Sequence, residues 1–173
     1  MPTAGGRRLS PRSAWAVLAV LDRVGEGDWS GLRLSRTERA RAEERAAAQP
    51  CAMPGALASR AQVSHWRVHP SVLGEVINDN AVVPLPLEVG GVLRTAHWVY
   101  ARSVDLRALE HRWPLASVSP IEANLVVRSA QAVWPFRGRQ VPAVIAAVDL
   151  LDSGDARSVL EASRMLSKIA LGR

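Results

Sequence analysis

Six arginines in the first 67 residues have types and spacing that suit contact with a phosphate backbone. They are Arg36, Arg39, Arg41, Arg45, Arg60 and Arg67. A guanidinium group stays charged at neutral pH and matches phosphate oxygens, so such a set supplies affinity for DNA that does not depend on base sequence. No side chain among them can be assigned to a base edge. The sequence therefore predicts positioning contacts to phosphates.

The net charge of +6 comes almost entirely from the first part of the chain. Residues 1–67 hold eleven arginines against six acidic residues, whereas residues 68–173 hold eleven basic residues against ten acidic ones. A basic segment on a near-neutral body is typical of polyanion binding. Of the 22 basic residues, however, only Lys168 is a lysine, and a general bias towards Ala and Arg explains the same excess without any ligand.

Two other groups of residues could bind a metal, and both are better explained structurally. Asp149, Asp152 and Asp155 recur every three residues, but the pattern predicts Asp155 as a helix cap, Asp152 near a helix end and Asp149 facing solvent. His65 and His69 are four apart in an extended context, without the glutamate of a helical zinc motif. We therefore expect no metal site.

The residue patterns of common enzymes are missing from the sequence. Gly5-Gly6 and Gly90-Gly91 are not followed by the Lys-Ser/Thr of a phosphate-binding loop, and no nucleophile elbow occurs. The single cysteine, Cys51, cannot form an internal disulfide. We expect a protein that is not an enzyme and has no cofactor, and only a dispersed site would change that expectation.

The length of 173 residues and a hydrophobic content of 48% are enough for one domain or two small ones. The longest apolar runs, Trp15–Leu21 and Val141–Val148, are much shorter than the roughly 20 residues of a membrane span. We expect a cytoplasmic protein without a membrane partner.

The arginine set lies on elements whose starts are marked in the sequence. Ser10-Pro11 predicts the start of a first helix, and Ser35 with Glu38 forms a capping box that predicts a second helix from Arg36 to about Ala48. A short third helix from Pro54 and a strand over residues 63–69 follow. This order is typical of a winged helix-turn-helix, although the second and third helices lack its usual large apolar residues.

The rest of the chain alternates short strands and helices. Strands are predicted over residues 81–85, 92–101 and 124–128, and helices over 71–78, from 141 and from 155. We therefore predict an α+β protein: a flexible basic arm over residues 1–13, a winged helix-turn-helix-like unit over 14–70 and a small α/β domain over 71–173.

The second half also carries a family resemblance. The order of Val118-Ser-Pro120, the run Ala-Asn-Leu-Val-Val-Arg, the Trp134-Pro-Phe136 loop and the Ala-rich segment from Val141 to Arg157 resembles the C-terminal part of actinobacterial regulator-like proteins related to abortive-infection antitoxins. The similar part covers about residues 92–166 and the step from Trp66 to Pro70. This resemblance implies DNA binding by the N-terminal unit, autoregulation, and a C-terminal domain that contacts a protein partner such as a toxin.

Two functions are consistent with these observations. The first is a DNA-binding transcriptional regulator or antitoxin-like protein that contacts duplex DNA through the six arginines. The alternative is a protein-interaction module that binds no nucleic acid, in which the arginines of the second helix are solvated and paired with Glu38 and Glu44.

Overall fold

A computed structural model describes residues 8–22, 25–47 and 54–170. The helices of these ranges are α1 (Pro11–Leu21), α2 (Arg36–Ala47), α3 (Pro54–Leu57), α4 (Pro70–Asn78), α5 (Leu106–Arg112), α6 (Ala143–Ser153) and α7 (Ala156–Ala170). The strands are β1 (Ala61–Arg67), β2 (Val82–Pro84), β3 (Glu88–Val89), β4 (Val92–Leu93), β5 (His97–Arg102), β6 (Ala116–Ser117) and β7 (Leu125–Ala130). Short 3-10 turns lie at Ala58–Arg60 and Pro120–Glu122.

The first two helices begin where the sequence predicts. The Ser10 hydroxyl accepts a hydrogen bond from the backbone N–H of Ser13 at 3.2 Å, and Pro11 opens α1. The capping box of α2 is confirmed, because the Glu38 N–H donates to the Ser35 hydroxyl at 3.2 Å while the Ser35 N–H donates to the Glu38 carboxylate at 2.8 Å. Local hydrogen bonding thus fixes the start of the arginine-rich helix.

Five strands form one mixed sheet in the order β2-β5-β7-β1-β6. The central pair β5 and β7 is parallel, and the other neighbours are antiparallel. The single strand predicted over residues 92–101 is divided in two: β4 pairs with β3 in a separate hairpin, and β5 joins the main sheet. The hairpin turns at Gly90 and Gly91, whose φ angles of +58° and +78° favour glycine.

The chain is not divided at residue 70, where two units were predicted to meet. β1 lies inside the sheet, paired with β7 from Ala61 opposite Ala130 to Trp66 opposite Leu125, and with β6 on its other side. In a winged helix-turn-helix the wing is a hairpin that projects from the domain. Here β1 is an internal strand of the same sheet as β5 and β7. Residues 14–70 and 71–173 therefore share one sheet. Residues 1–7 of the predicted basic arm, Cys51 and the turn before α3 lie outside the described residues.

Helices cover both faces of the sheet. On one face, Val76 of α4 and Leu109 of α5 belong to a buried cluster with Val99 and Val127 of the sheet. On the other face, α1 and α6 form a larger core with the sheet. The structure is thus a mixed α and β fold, and no helix in the described ranges is both long and apolar enough to cross a bilayer.

Candidate functional site

Four of the six predicted arginines lie on the exposed surface of α2. Arg36, Arg39, Arg41 and Arg45 are all exposed, and the helix buries only Ala42 against its neighbours. Helical geometry places Arg41 and Arg45 on one flank of Ala42 and the other two on the opposite flank. None of the four forms an ion pair or a side-chain hydrogen bond within the described ranges, so the predicted pairing with Glu38 and Glu44 is not observed.

A shallow cleft between α1 and α2 gathers three arginines. Arg41 and Arg45 line it together with Arg12 of α1, in a space of about 100 Å³. The Arg12 Nε donates to the Glu38 carboxylate at 2.9 Å. This hydrogen bond and those from Ser35 lower the pKa of Glu38 to about 2. Three cations and one carboxylate leave the cleft with an excess of positive charge.

Arg67 lies apart from this cleft. It is exposed at the end of β1, where its Nε and Nη2 both donate to the carbonyl oxygen of Glu122 at 3.2 Å. Helix α1 contacts the 3-10 turn at the other end of β1, and a seven-residue strand is about 20 Å long. The structure therefore does not bring Arg67 together with the arginines of α2.

Arg60 is the member of the set that the structure contradicts. Its side chain is completely buried, and it forms ion pairs with Asp149 and with Asp152, the latter at 2.7 Å. Its Nη1 also donates to the Leu57 carbonyl at 2.9 Å. Burial alone lowers the pKa of this guanidinium, but the groups around it, the two aspartates among them, raise it well above its ordinary value. A phosphate cannot reach it.

The prediction that Asp149 faces solvent is also wrong. Its side chain has no exposed surface, and its Oδ1 accepts hydrogen bonds from Arg60 and from the Tyr100 hydroxyl, the latter at 2.9 Å. Arg128 of β7 completes the group, because its Nη1 donates to Asp152 at 3.3 Å. We call these five residues the buried ion network. It links the turn before β1, the two central strands and α6.

A signal of the network was present in the sequence. Asp149 stands in the helical run Val144–Leu151, which otherwise contains only apolar residues, and Arg128 interrupts the apolar strand β7 in the same way. A charged residue within a segment too apolar to face solvent requires a buried partner. Because Asp149 and Arg128 carry opposite charges in two such segments, an ion pair between these segments could have been predicted from the sequence.

A further arginine, Arg94, lies beside the network and has no carboxylate partner among the described residues. The Arg94 guanidinium carbon is 4.5 Å from the centroid of the Trp98 ring, and that of Arg128 is 4.7 Å from the same ring. Nε and Nη2 of Arg94 are buried and make no hydrogen bond within the described ranges. Burial lowers the pKa of Arg94. The cation–π contact with Trp98 stabilises the guanidinium group, but it leaves these two nitrogen atoms without a hydrogen-bond acceptor in the described ranges.

Within the described ranges, no three metal-ligating side chains come together. Asp155 caps α7 as predicted, since its carboxylate accepts from the Ser158 N–H at 2.9 Å. The Nδ1 atom of His69 accepts a hydrogen bond from the Ser71 N–H at 3.3 Å, so His69 caps the start of α4.

Comparison with known proteins gives no match to any family model, to any curated protein or to any solved structure.

Proposed function

We propose that this protein binds duplex DNA through phosphate contacts from α2 and the adjoining part of α1, as a regulator or antitoxin-like protein. The observation that carries the proposal is the state of the arginines of α2. All four are exposed, and none has an ionic partner in the described chain. Phosphate groups along a duplex would supply the missing counter-charges.

The surroundings of these arginines support phosphate binding more than a purely solvated helix. Solvated helices are commonly stabilised by pairs of opposite charges three or four residues apart. Glu43 and Glu44 lie within reach of such pairing on α2, yet they form no ion pair in the described part of the chain. The cleft with Arg12, Arg41 and Arg45 concentrates positive charge at one flank of the helix.

The proposed DNA contact does not require a winged helix-turn-helix. The order of α1, α2, α3 and β1 agrees with that motif, but β1 is an internal strand, and α3 is a single turn of four residues. The proposed contact therefore uses neither a wing nor a recognition helix. Arg60 is removed from the predicted contact set because it is buried, and Arg67 would need a second, separate contact with the duplex.

The decisive experiment is fluorescence anisotropy with a labelled duplex of about 30 base pairs, titrated at salt concentrations from about 50 to 200 mM. We expect binding at low salt with a steep loss of affinity as salt rises. Arg41→Glu should weaken binding about tenfold and reduce the salt slope by about one. Arg107→Glu on α5 is the matched control, because it makes the same change of charge at an exposed arginine far from α2 in sequence.

Two results would end the proposal. One is the absence of duplex binding by the purified protein at low salt. The other is an equal loss of affinity in Arg41→Glu and Arg107→Glu, which would assign binding to net charge rather than to α2. Co-purification with a stable protein partner together with no DNA binding would favour the protein-interaction module instead.

A further inference from the structure

One part of the sheet face that carries the buried ion network is left uncovered by helices. Strand pairing places Val63 and Tyr100 beside Arg128 in one row, and His65 and Trp98 beside Val126 in the next. Partners in register point to the same face of the sheet. Helix α6 covers the first row where Tyr100 meets Asp149. The second row, together with Val63 and Arg128 of the first row, borders an open cleft of about 830 Å³.

Most of the residues that line the cleft are apolar. Asp152 also lines it, but its carboxylate accepts hydrogen bonds from Arg60 and Arg128. Val63, Val126, Trp98 and Leu151 line its base and side, and Ile121 of the 3-10 turn stands at its mouth. Val63 is 40% exposed and Ile121 is 94% exposed. Apolar surface in a concave site is the usual means by which a protein binds the hydrocarbon part of a small molecule.

At its inner end the cleft is lined by a buried cation. Arg128 lines the cleft although its side chain is only 4% exposed. Its Nη1 is engaged by Asp152, but its Nη2 makes no hydrogen bond in the described chain. A guanidinium edge with a free donor, held at the base of an apolar cleft, is suited to a carboxylate.

The charges around this end do not balance. The buried ion network and Arg94 together contain three arginines, Arg60, Arg94 and Arg128, against the carboxylates of Asp149 and Asp152. Arg94 has no carboxylate within ion-pair distance in the described ranges, and its unpaired nitrogens are buried. Arg94 is partly buried, its Nη1 donates to the Pro86 carbonyl at 3.4 Å, and it adjoins the cleft through its contact with Trp98. One further negative charge near Trp98 would therefore stabilise the group.

We propose that the cleft binds a small organic monocarboxylate, with its carboxylate at Arg128 and its apolar body along Val63, Val126 and Ile121. The single excess charge favours a monoanion over a dianion such as a phosphate monoester. The apolar walls require a hydrocarbon or aromatic body, so acetate is too small. This site is separate from the arginines of α2 and does not depend on the proposed DNA binding.

The test uses the full chain and octanoate as the probe. Calorimetry measures the binding of octanoate, and NMR spectra of the backbone amide and indole N–H groups locate it. We expect saturable binding of octanoate with shifts at Trp98, Val63 and Val126. Three other compounds serve as comparisons. Acetate lacks the apolar body, 1-octanol lacks the charge, and octyl phosphate has a phosphate in place of the carboxylate. Each should bind at least about tenfold more weakly than octanoate, since each lacks one element of the proposed fit.

Variants at Val63 and Ile121 leave the residues of the buried ion network unchanged. Val63→Glu should weaken octanoate binding about tenfold, because Val63 is paired with Arg128 and the new charge repels the bound carboxylate. Ile121→Glu should weaken it by a similar factor, because it places a charge against the apolar body of the ligand. Leu93→Glu is the matched control, because Leu93 is 72% exposed on β4 and does not line the cleft. Circular dichroism and thermal melting would establish that all three variants fold.

Three outcomes would overturn the proposal. They are the absence of saturable octanoate binding, equal affinities for octanoate and 1-octanol, and an equal effect of Leu93→Glu and Val63→Glu. Arg41→Glu should leave octanoate binding unchanged while it weakens DNA binding, so failure of one proposal can be told from failure of the other.

Discussion

The guanidinium group of Arg60 donates a hydrogen bond to the carboxylate of Asp149, and neither side chain is exposed to solvent. The two residues are 89 positions apart in the chain. This contact joins the turn before β1 to the middle of α6, so it links the first third of the protein to its last. A charge buried in this way depends on its partner, because desolvation is offset only by the ion pair and its hydrogen bonds.

Replacing Asp149 by Asn should destabilise the protein strongly. The substitution keeps the size of the side chain but leaves Arg60 buried with Asp152 as its remaining carboxylate partner. We expect a loss of about 3 kcal/mol in the free energy of unfolding, the lower part of the range for breaking a buried pair. Urea denaturation followed by circular dichroism measures this change.

Asp105→Asn is the control for that experiment. Asp105 precedes α5 and makes no capping hydrogen bond with its side chain, so the same chemical change should alter stability by less than about 0.5 kcal/mol. Equal denaturation midpoints for the Asp149 and Asp105 variants would contradict the structural role of the network.

The only tyrosine of the chain is a direct probe of the same network. Tyr100 is completely buried beside Asp149, and burial together with that carboxylate raises the pKa of its hydroxyl. The folded protein therefore retains a phenol proton that the unfolded chain releases near its ordinary pKa of about 10. Stability should fall as pH rises above that value.

Absorbance of tyrosinate near 295 nm follows this ionisation without interference from another tyrosine. We expect no tyrosinate signal at pH about 10 in the folded protein, and about half of the full signal in denaturant at the same pH. Appearance of half the signal near pH 10 while circular dichroism remains native would show that Tyr100 is not held as described.

Acid should remove the contact between α1 and the start of α2. The pKa of Glu38 is lowered to about 2 from 4.5 by hydrogen bonds from Arg12 and Ser35. A carboxylate with a lowered pKa stabilises the folded state above its unfolded pKa, and this stabilisation is lost as pH falls from 4.5 through about 2.

Thermal melting of Glu38→Gln against the wild type tests this expectation. The variant should melt at a lower temperature than the wild type near pH 6, and most of the difference should be lost by about pH 2. Glu110→Gln, on an exposed position of α5, should show no such pH-dependent difference. A difference for Glu38→Gln that is constant across the acid range would exclude its carboxylate charge as the cause.

The sequence alone determined the local elements. Ser10 with Pro11, Ser35 with Glu38, and Asp155 mark the starts of three helices, because capping depends on residues close together in the chain. The apolar run of β7 was recognisable for a similar reason, since its side chains are buried all along the strand. The exposure of the arginines on α2 also follows from local pattern, as its other residues are mostly small or charged.

Tertiary structure decided which of the charged residues are available to a ligand. Arg60 and Arg67 both flank β1, yet one is sealed beneath α6 and the other is exposed at the far end of the strand. Asp149 pairs with Arg60 rather than facing solvent, and β1 becomes an internal strand rather than a wing. These outcomes depend on contacts between residues far apart in sequence, whose energies no local pattern contains.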